Sequence, residues 1–452
     1  MDGLGSVYFV GKRIFKDLRL DARLHRMFEQ AVLRPEGTLP QKLRHKSQLM
    51  AAYRMLNHPE VHHQAILRAH RDCCLEQLRD YKGRLLILHD TTVLDYSGLD
   101  IEELGQIGDG HGRGLYGHNS LAVIAGERRV VGLFHQILHR REHAPKGERR
   151  GECQARAGRE SRLWRDAVAA LPALPEGIEV TDVSDRGSDI SEYIAYEVSH
   201  GRKFIVRSQH NRNLAGADGS ILKLHQQLRG LKPVASYTLQ VPGKEEKRRA
   251  TIGIAWQGVQ IIPPRQQRGE HGREPLKLWG VIAAEQEVPA GEEPIEWILL
   301  TNVPIESREA AGQCIDDYCC RWMVEDYHKA MKTGSGIEAV QLTSLHALEN
   351  FIAVTSVLAV HVLKLRNLAR DPATAQEPAL KHEPELKVKI AARHARHPDW
   401  QAMTLGEYYL TVAHLGGYVA NPRKRPPGWI VLWRGYTLLN DMAQGILLMK
   451  DV

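Results

Sequence analysis

No CxxC pair occurs among the six cysteines, Cys73, Cys74, Cys153, Cys314, Cys319 and Cys320, of which four form two adjacent pairs. Zinc-ribbon spacing is therefore missing. Neighbouring cysteines are also awkward to bridge to each other, so reduced cytosolic thiols are expected. No run of about 18 apolar residues suggests a membrane span. The first residues lack the apolar core of a signal peptide, and the expectation is a cytoplasmic chain with no membrane partner. Internal repeats and low-complexity tracts are absent as well. What remains is an ordinary globular sequence of 452 residues, long enough for a sizeable core and two or three domains.

The net charge of +7 is modest, but its placement is informative. Residues 1–70 carry 12 Lys/Arg against 6 Asp/Glu, so nearly the whole excess lies there. A compact basic module points to a polyanion, which for a cytosolic protein is most often nucleic acid. Within it, DARLHRMFEQAVL and QKLRHKSQLMAAYRMLNHP read as two amphipathic helices separated by RPEGTLP, and a third, HHQAILRAHRDCCLEQLRDY, leads into the central region.

Downstream the pattern becomes α/β. RLLILHD is an apolar strand closed by Asp90, SLAVIA and RRVVGLFHQILH form a hairpin, EVTDVSD is a strand closed by Asp185, and KFIVRS is another strand. Residues 234–303 are strand-rich and broken by charged and Pro/Gly turns, the pattern of a β insertion. A long apolar helix, ALENFIAVTSVLAVHVLKLRNLA, follows, and the last helices form a small separate unit.

Carboxylates at the ends of neighbouring strands sit where α/β sheets place their sites. A third acid lies in DDYCCRWMVEDYHKAMKTG, read as one helix. At about 100° per residue, Tyr318, Arg321, Glu325, Lys329 and Lys332 fall within roughly 80° of one face. Met323, Val324, Tyr327, Ala330 and Met331 make the opposite, mostly apolar face. Asp90, Asp185 and Glu325 together are an oxygen donor set suited to Mg²⁺ or Mn²⁺ and to in-line displacement at phosphorus. The plainer alternatives are helix or turn caps for the two Asp and a solvated face for the helix. His135, His139 and His143 do not make a zinc face, because VVGLFHQILH is strand-like and scatters the rings. NPRKRPPG at 421–428 reads as a solvated basic linker.

HDTTVLDYS, SDRGSDISEYI with KFIVRS, and the Tyr318/Arg321/Glu325/Lys332 spacing resemble the DDE transposases of bacterial insertion sequences. The resemblance is to the IS-four group, which includes the transposase of the composite transposon Tn-five. It implies an RNase H-like catalytic core carrying a β-strand insertion (about 232–304), within residues 71–370. It also implies a helical DNA-end-binding domain (1–70) and a helical dimerisation domain (371–452). The 140 residues between Asp185 and Glu325 accommodate such an insertion. Carried over by motif, Asp90, Asp185 and Glu325 bind Mg²⁺, with Mn²⁺ as substitute. Tyr318, Arg321, Lys329, Lys332 and Arg207 contact phosphates, and Trp297 stacks a flipped base. Gly187 stands where some relatives carry an acidic residue.

The implied activity is cut-and-paste transposition on double-stranded DNA by a homodimer that pairs two terminal inverted repeats, with strongly salt-dependent binding. A catalytically silent DNA-binding relative and a simple metal-dependent nuclease are the rival readings.

Overall fold

The computed structural model describes residues 12–35, 37–142, 158–241, 248–264, 274–419 and 427–450, with 147, 148, 152 and 156. It is a mixed α/β structure: a helical N-terminal segment precedes a large mixed sheet. Helices span Leu18–Leu33, Leu39–Lys42, Lys46–Leu56 and His63–Gln77. The second expected helix is thus two. The Leu39–Lys42 turn closes on itself through a Thr38/Gln41 capping box, and a new helix starts at Lys46.

The sheet contains β1 (Gly83–Asp95), β2 (Gly105–Ile107), β3 (Gly112–Ile124), β4 (Arg129–His139), β5 (Ile178–Ser184) and β6 (Lys203–Arg207). It continues with β7 (Asn213–Ala215), β8 (Ile221–Lys223), β9 (Ala235–Val241), β10 (Arg248–Ile261), β11 (Leu276–Glu285) and β12 (Glu296–Thr301). Strands β4, β3 and β1 form an antiparallel meander, and β5 and then β6 add in parallel to β1. Strand β12 joins β6 antiparallel through Leu299↔Arg207, and β11 and β10 extend the sheet beyond it. The strand-rich segment thus continues the sheet edge rather than folding apart from it.

Period-2 alternation decides what each face carries. Leu86, Leu88 and Asp90 of β1 share a face with Val183 of β5 and with Asn119, Leu121 and Val123 of β3. The Leu345–Arg370 helix and the helix bearing Glu325 cover that face. On the other side, Trp164 of the Leu163–Ala169 helix and Tyr193 of the Ser191–Ser199 helix pack with Phe204 and Val206 of β6.

Residues 345–364 are long and apolar enough to cross a membrane, which the sequence reading missed, but most of that stretch is buried inside the protein. It packs against the N-terminal helices, β4 and the C-terminal helices, as a core helix does. A separate apolar cluster, from Ala379 to Leu439, joins the Glu385–Ala395, Leu405–Leu415 and Trp429–Lys450 helices.

Candidate active site

The register of β1 and β5 brings two of the expected acids together. Their parallel pairing ends at His89↔Ser184, so Asp90 and Asp185 are the next residue on each strand. Asp185 follows the last residue of β5, as expected. Asp90 does not close its strand: β1 runs on to Asp95, held by β3 through Asp95↔Gly114. The loss of apolar character after His89 marks the end of the parallel neighbour, not of β1 itself. Just before the acids, buried His89 bonds Asp182 at 2.9 Å and Ser120 at 3.0 Å, and Asp182 takes Arg202 at 2.6 Å. This chain ties β3, β1 and β5 together directly behind Asp90 and Asp185.

Both Asp side chains also perform the local roles their positions allow. Asp90 accepts from the Thr91 amide, and Asp185 accepts from the Gly187 amide, both at 2.8 Å, capping the short turn Arg186–Ser188. A Cβ at Gly187 would stand 3.0 Å from the Trp164 ring and 3.1 Å from Asp185 Oδ1, so a side chain there needs both neighbours to give by a few tenths of an ångström.

The signature segment is two helices rather than one, Arg308–Cys319 and Trp322–Lys329, followed by a π-helical turn at Ala330–Gly334. The amides of Arg321, Met323 and Val324 bond three residues back, to Tyr318, Cys320 and Arg321, which tightens the chain at the join. After the join, Val324, Tyr327, Ala330 and Met331 are buried, as the apolar stripe predicts. Glu325 lies on the other side and takes Arg321 Nη2 at 2.6 Å, while Arg321 Nη1 reaches Asp90 Oδ2 at 3.4 Å. Burial, with Asp185 and Glu325 adding repulsion, pushes the Asp90 carboxyl up to about 7, against the pull of Arg321. Arg321 thus links Asp90 and Glu325 across 235 residues of sequence. Among the described residues, no three acid, histidine or thiol groups are close enough to enclose a metal ion.

A raised carboxyl favours the protonated form in the fold. The contribution of Asp90 is thus fully favourable below about pH 4 and is lost as pH climbs through about 7. Asp90→Asn should stabilise the metal-free protein at pH 8 by on the order of 1–3 kcal/mol, raising Tm by about 1–3 °C. The gain should fade by pH 5; thermal melts at the two pH values check it.

The remaining expected residues divide by exposure. Tyr318 is buried, and its hydroxyl faces the guanidinium groups of Arg207 and Arg321. Trp297 is half-buried with its ring edge-on to Tyr318 at 5.3 Å. Arg207 donates to the Glu296 carbonyl at 3.0 Å. Lys329 and Lys332 lie outside, against Asp326 at 4.0 Å and Glu338 at 3.5 Å, in pairs too exposed to hold them firmly. Sequence reasoning missed Trp322. Its indole is 53% exposed, with the Arg321 guanidinium over the ring at 5.2 Å. Only the observed break in the helix shows which way it points. His135 and His139 lie on β4 in no metal-binding group, and His143 falls outside the described residues, as do positions 421–426 of the basic linker.

The arrangement places Asp90 and Asp185 side by side on neighbouring interior strands, with the buried Arg321 guanidinium joining Asp90 to Glu325. Residues 10–61 match the family model described as transposase DNA-binding. That match covers the basic N-terminal segment, and it supports a transposase with DNA as its partner.

Proposed function

We propose that this chain is a DDE transposase of the IS-four type that excises and reinserts a mobile element by cutting and joining DNA strands. The observation that carries it is that Asp90 and Asp185 follow the last registered pair of β1 and β5 and that Arg321 bonds both Asp90 and Glu325, in a chain whose N-terminus matches a transposase DNA-binding model. The β4–β3–β1–β5–β6 order, with helices on both faces, supports reading the core as RNase H-like. β9 to β12 then form its insertion. The N-terminal helices and the 379–439 cluster support a division into end-binding (1–70), catalytic (71–370) and dimerisation (371–452) parts.

The acids suit a divalent cation because Asp90 is buried among like charges with only Arg321 to offset them. Asp90, Asp185 and Glu325 would hold Mg²⁺ or Mn²⁺, and that ion supplies Lewis acidity for in-line displacement at phosphorus. Arg321 and the Tyr318 hydroxyl hold the scissile phosphate from the protein side, and Arg207 adds charge behind them. Lys329 and Lys332 exchange weak surface acids for DNA phosphates. Trp322 or Trp297 stacks a base turned out of the duplex beside the cut. Hydrolysis breaks one P–O bond and frees a 3′-hydroxyl. That hydroxyl attacks the opposite strand to form a hairpin, which is reopened before the ends join target DNA. The protein acts in the cytoplasm, two copies pairing two ends.

Incubating the purified chain with Mg²⁺ and DNA carrying the inverted repeats that flank its gene tests this. Nicked, hairpin and target-joined products are expected. Shifted but uncut DNA would instead point to a silent binder. Nicks without joining, and without need for paired ends, would point to a plain nuclease.

A further inference from the structure

A row of buried polar side chains crosses the sheet face that carries Asp90. Asn119 is the registered partner of Asp90 on β3, and Gln136 is the registered partner of Asn119 on β4. Both are fully buried where apolar residues would otherwise pack under the helices. Such groups are costly unless every polar atom is engaged. Here they are engaged in one direction. His63 Nε2 bonds Gln136 Oε1 at 2.8 Å, Gln136 Nε2 donates to Asn119 Oδ1 at 2.7 Å, and Asn119 Nδ2 donates to His328 Nε2 at 3.0 Å. Ser356 of the long core helix meets Gln136 at 3.0 Å. Burial drives His328 down to about 3 and His63 to about 4, so both rings are neutral, as the polarity of the chain requires.

His328 lies three residues after Glu325, on the same short helix. His63 opens the helix that begins just beyond the matched segment 10–61. We propose that His63, Gln136, Asn119 and His328 form a positioning chain that fixes the Glu325 helix against the Asp90 strand and anchors both to the end-binding helices. The inference rests on the transposase reading for its catalytic consequence, but not for its geometry. None of the four side chains touches DNA; each acts through the placement of Glu325 over Asp90.

The test compares His328→Leu, which leaves the Asn119 amide with only its 3.0 Å bond to the Gly117 carbonyl, with His328→Gln, which can still accept from it. In the full-length protein, His328→Leu should slow end cleavage at least about 10-fold while end-binding Kd stays within about twofold. His328→Gln should recover to within about threefold of the parent. A residue serving only stability would lower both variants with their Tm and show no such rescue. Equal losses in the two variants, or parental cleavage by His328→Leu, would overturn the proposal. Should His328→Leu fail to fold, Asn119→Leu replaces it, with Asn119→Gln as the rescuing partner. Hydrogen exchange over residues 322–329 supplies a readout independent of catalysis. Faster exchange in the leucine variant only is expected even if the parent cuts no DNA. That result would leave the positioning chain standing while the transposase reading falls.

Discussion

The Asp185→Ala protein should bind end DNA as the parent does and leave it uncut, with cleavage down at least about 10³-fold. Two roles of Asp185 must be separated, because its side chain also caps the turn at Gly187. Losing a cap costs about 1 kcal/mol, which lowers Tm slightly and leaves the rate per folded molecule unchanged. Asp185→Asn keeps an acceptor for the Gly187 amide but removes the charge. If charge is what matters, both variants are inactive and the asparagine one melts close to the parent. An active Asp185→Asn protein would assign the residue to the cap and remove it from the site.

Arg321→Ala should be almost as damaging, by a different route. Arg321 bonds Glu325 and Asp90 while nearly buried, and its Nε has no partner. Removing one member of a buried charge set costs about 3–5 kcal/mol, so Tm should fall by several degrees. Cleavage per folded molecule should fall at least about 10²-fold, because a buried guanidinium is a preorganised donor for the phosphate. Asp90, deprived of its largest lowering influence, should be pushed still higher and need more alkaline pH to ionise. Arg321→Lys should rescue poorly, since one ammonium cannot span both acids as the guanidinium fork does. Melting curves with rates normalised to folded protein check this. Unchanged cleavage alongside a lowered Tm would make Arg321 purely structural.

Much of this arrangement was legible in the sequence because it follows from short-range pattern. The hairpin around Gly126, the strands ending near Asp185 and Arg207, and the apolar stripe through Val324, Tyr327 and Met331 all repeat with the period of their element. The limits arose where a residue answers to two neighbours at once. Strand β1 loses its parallel partner after His89 but keeps its antiparallel one, so a local drop in hydrophobicity resembled an end. The tightened join at Cys320–Val324 carries no Gly or Pro to announce it, and it alone turns Trp322 outward and Tyr318 inward. Asn119 and Gln136 stayed hidden because their meaning lies in cross-strand register, which composition does not encode. His328 was similarly masked by Lys329, the more conspicuous charge beside it.

The close approach of Trp164 to Gly187 has an evolutionary consequence. A side chain at the glycine position presses on the indole, which must give by a few tenths of an ångström, so homologues should tend to trade bulk between the two sites. An acidic substitution at 187 in this chain alone should jam the turn that aims Asp185. Pairing it with a trimmed residue at 164 should restore that aim, turning a steric accident into a readable covariation.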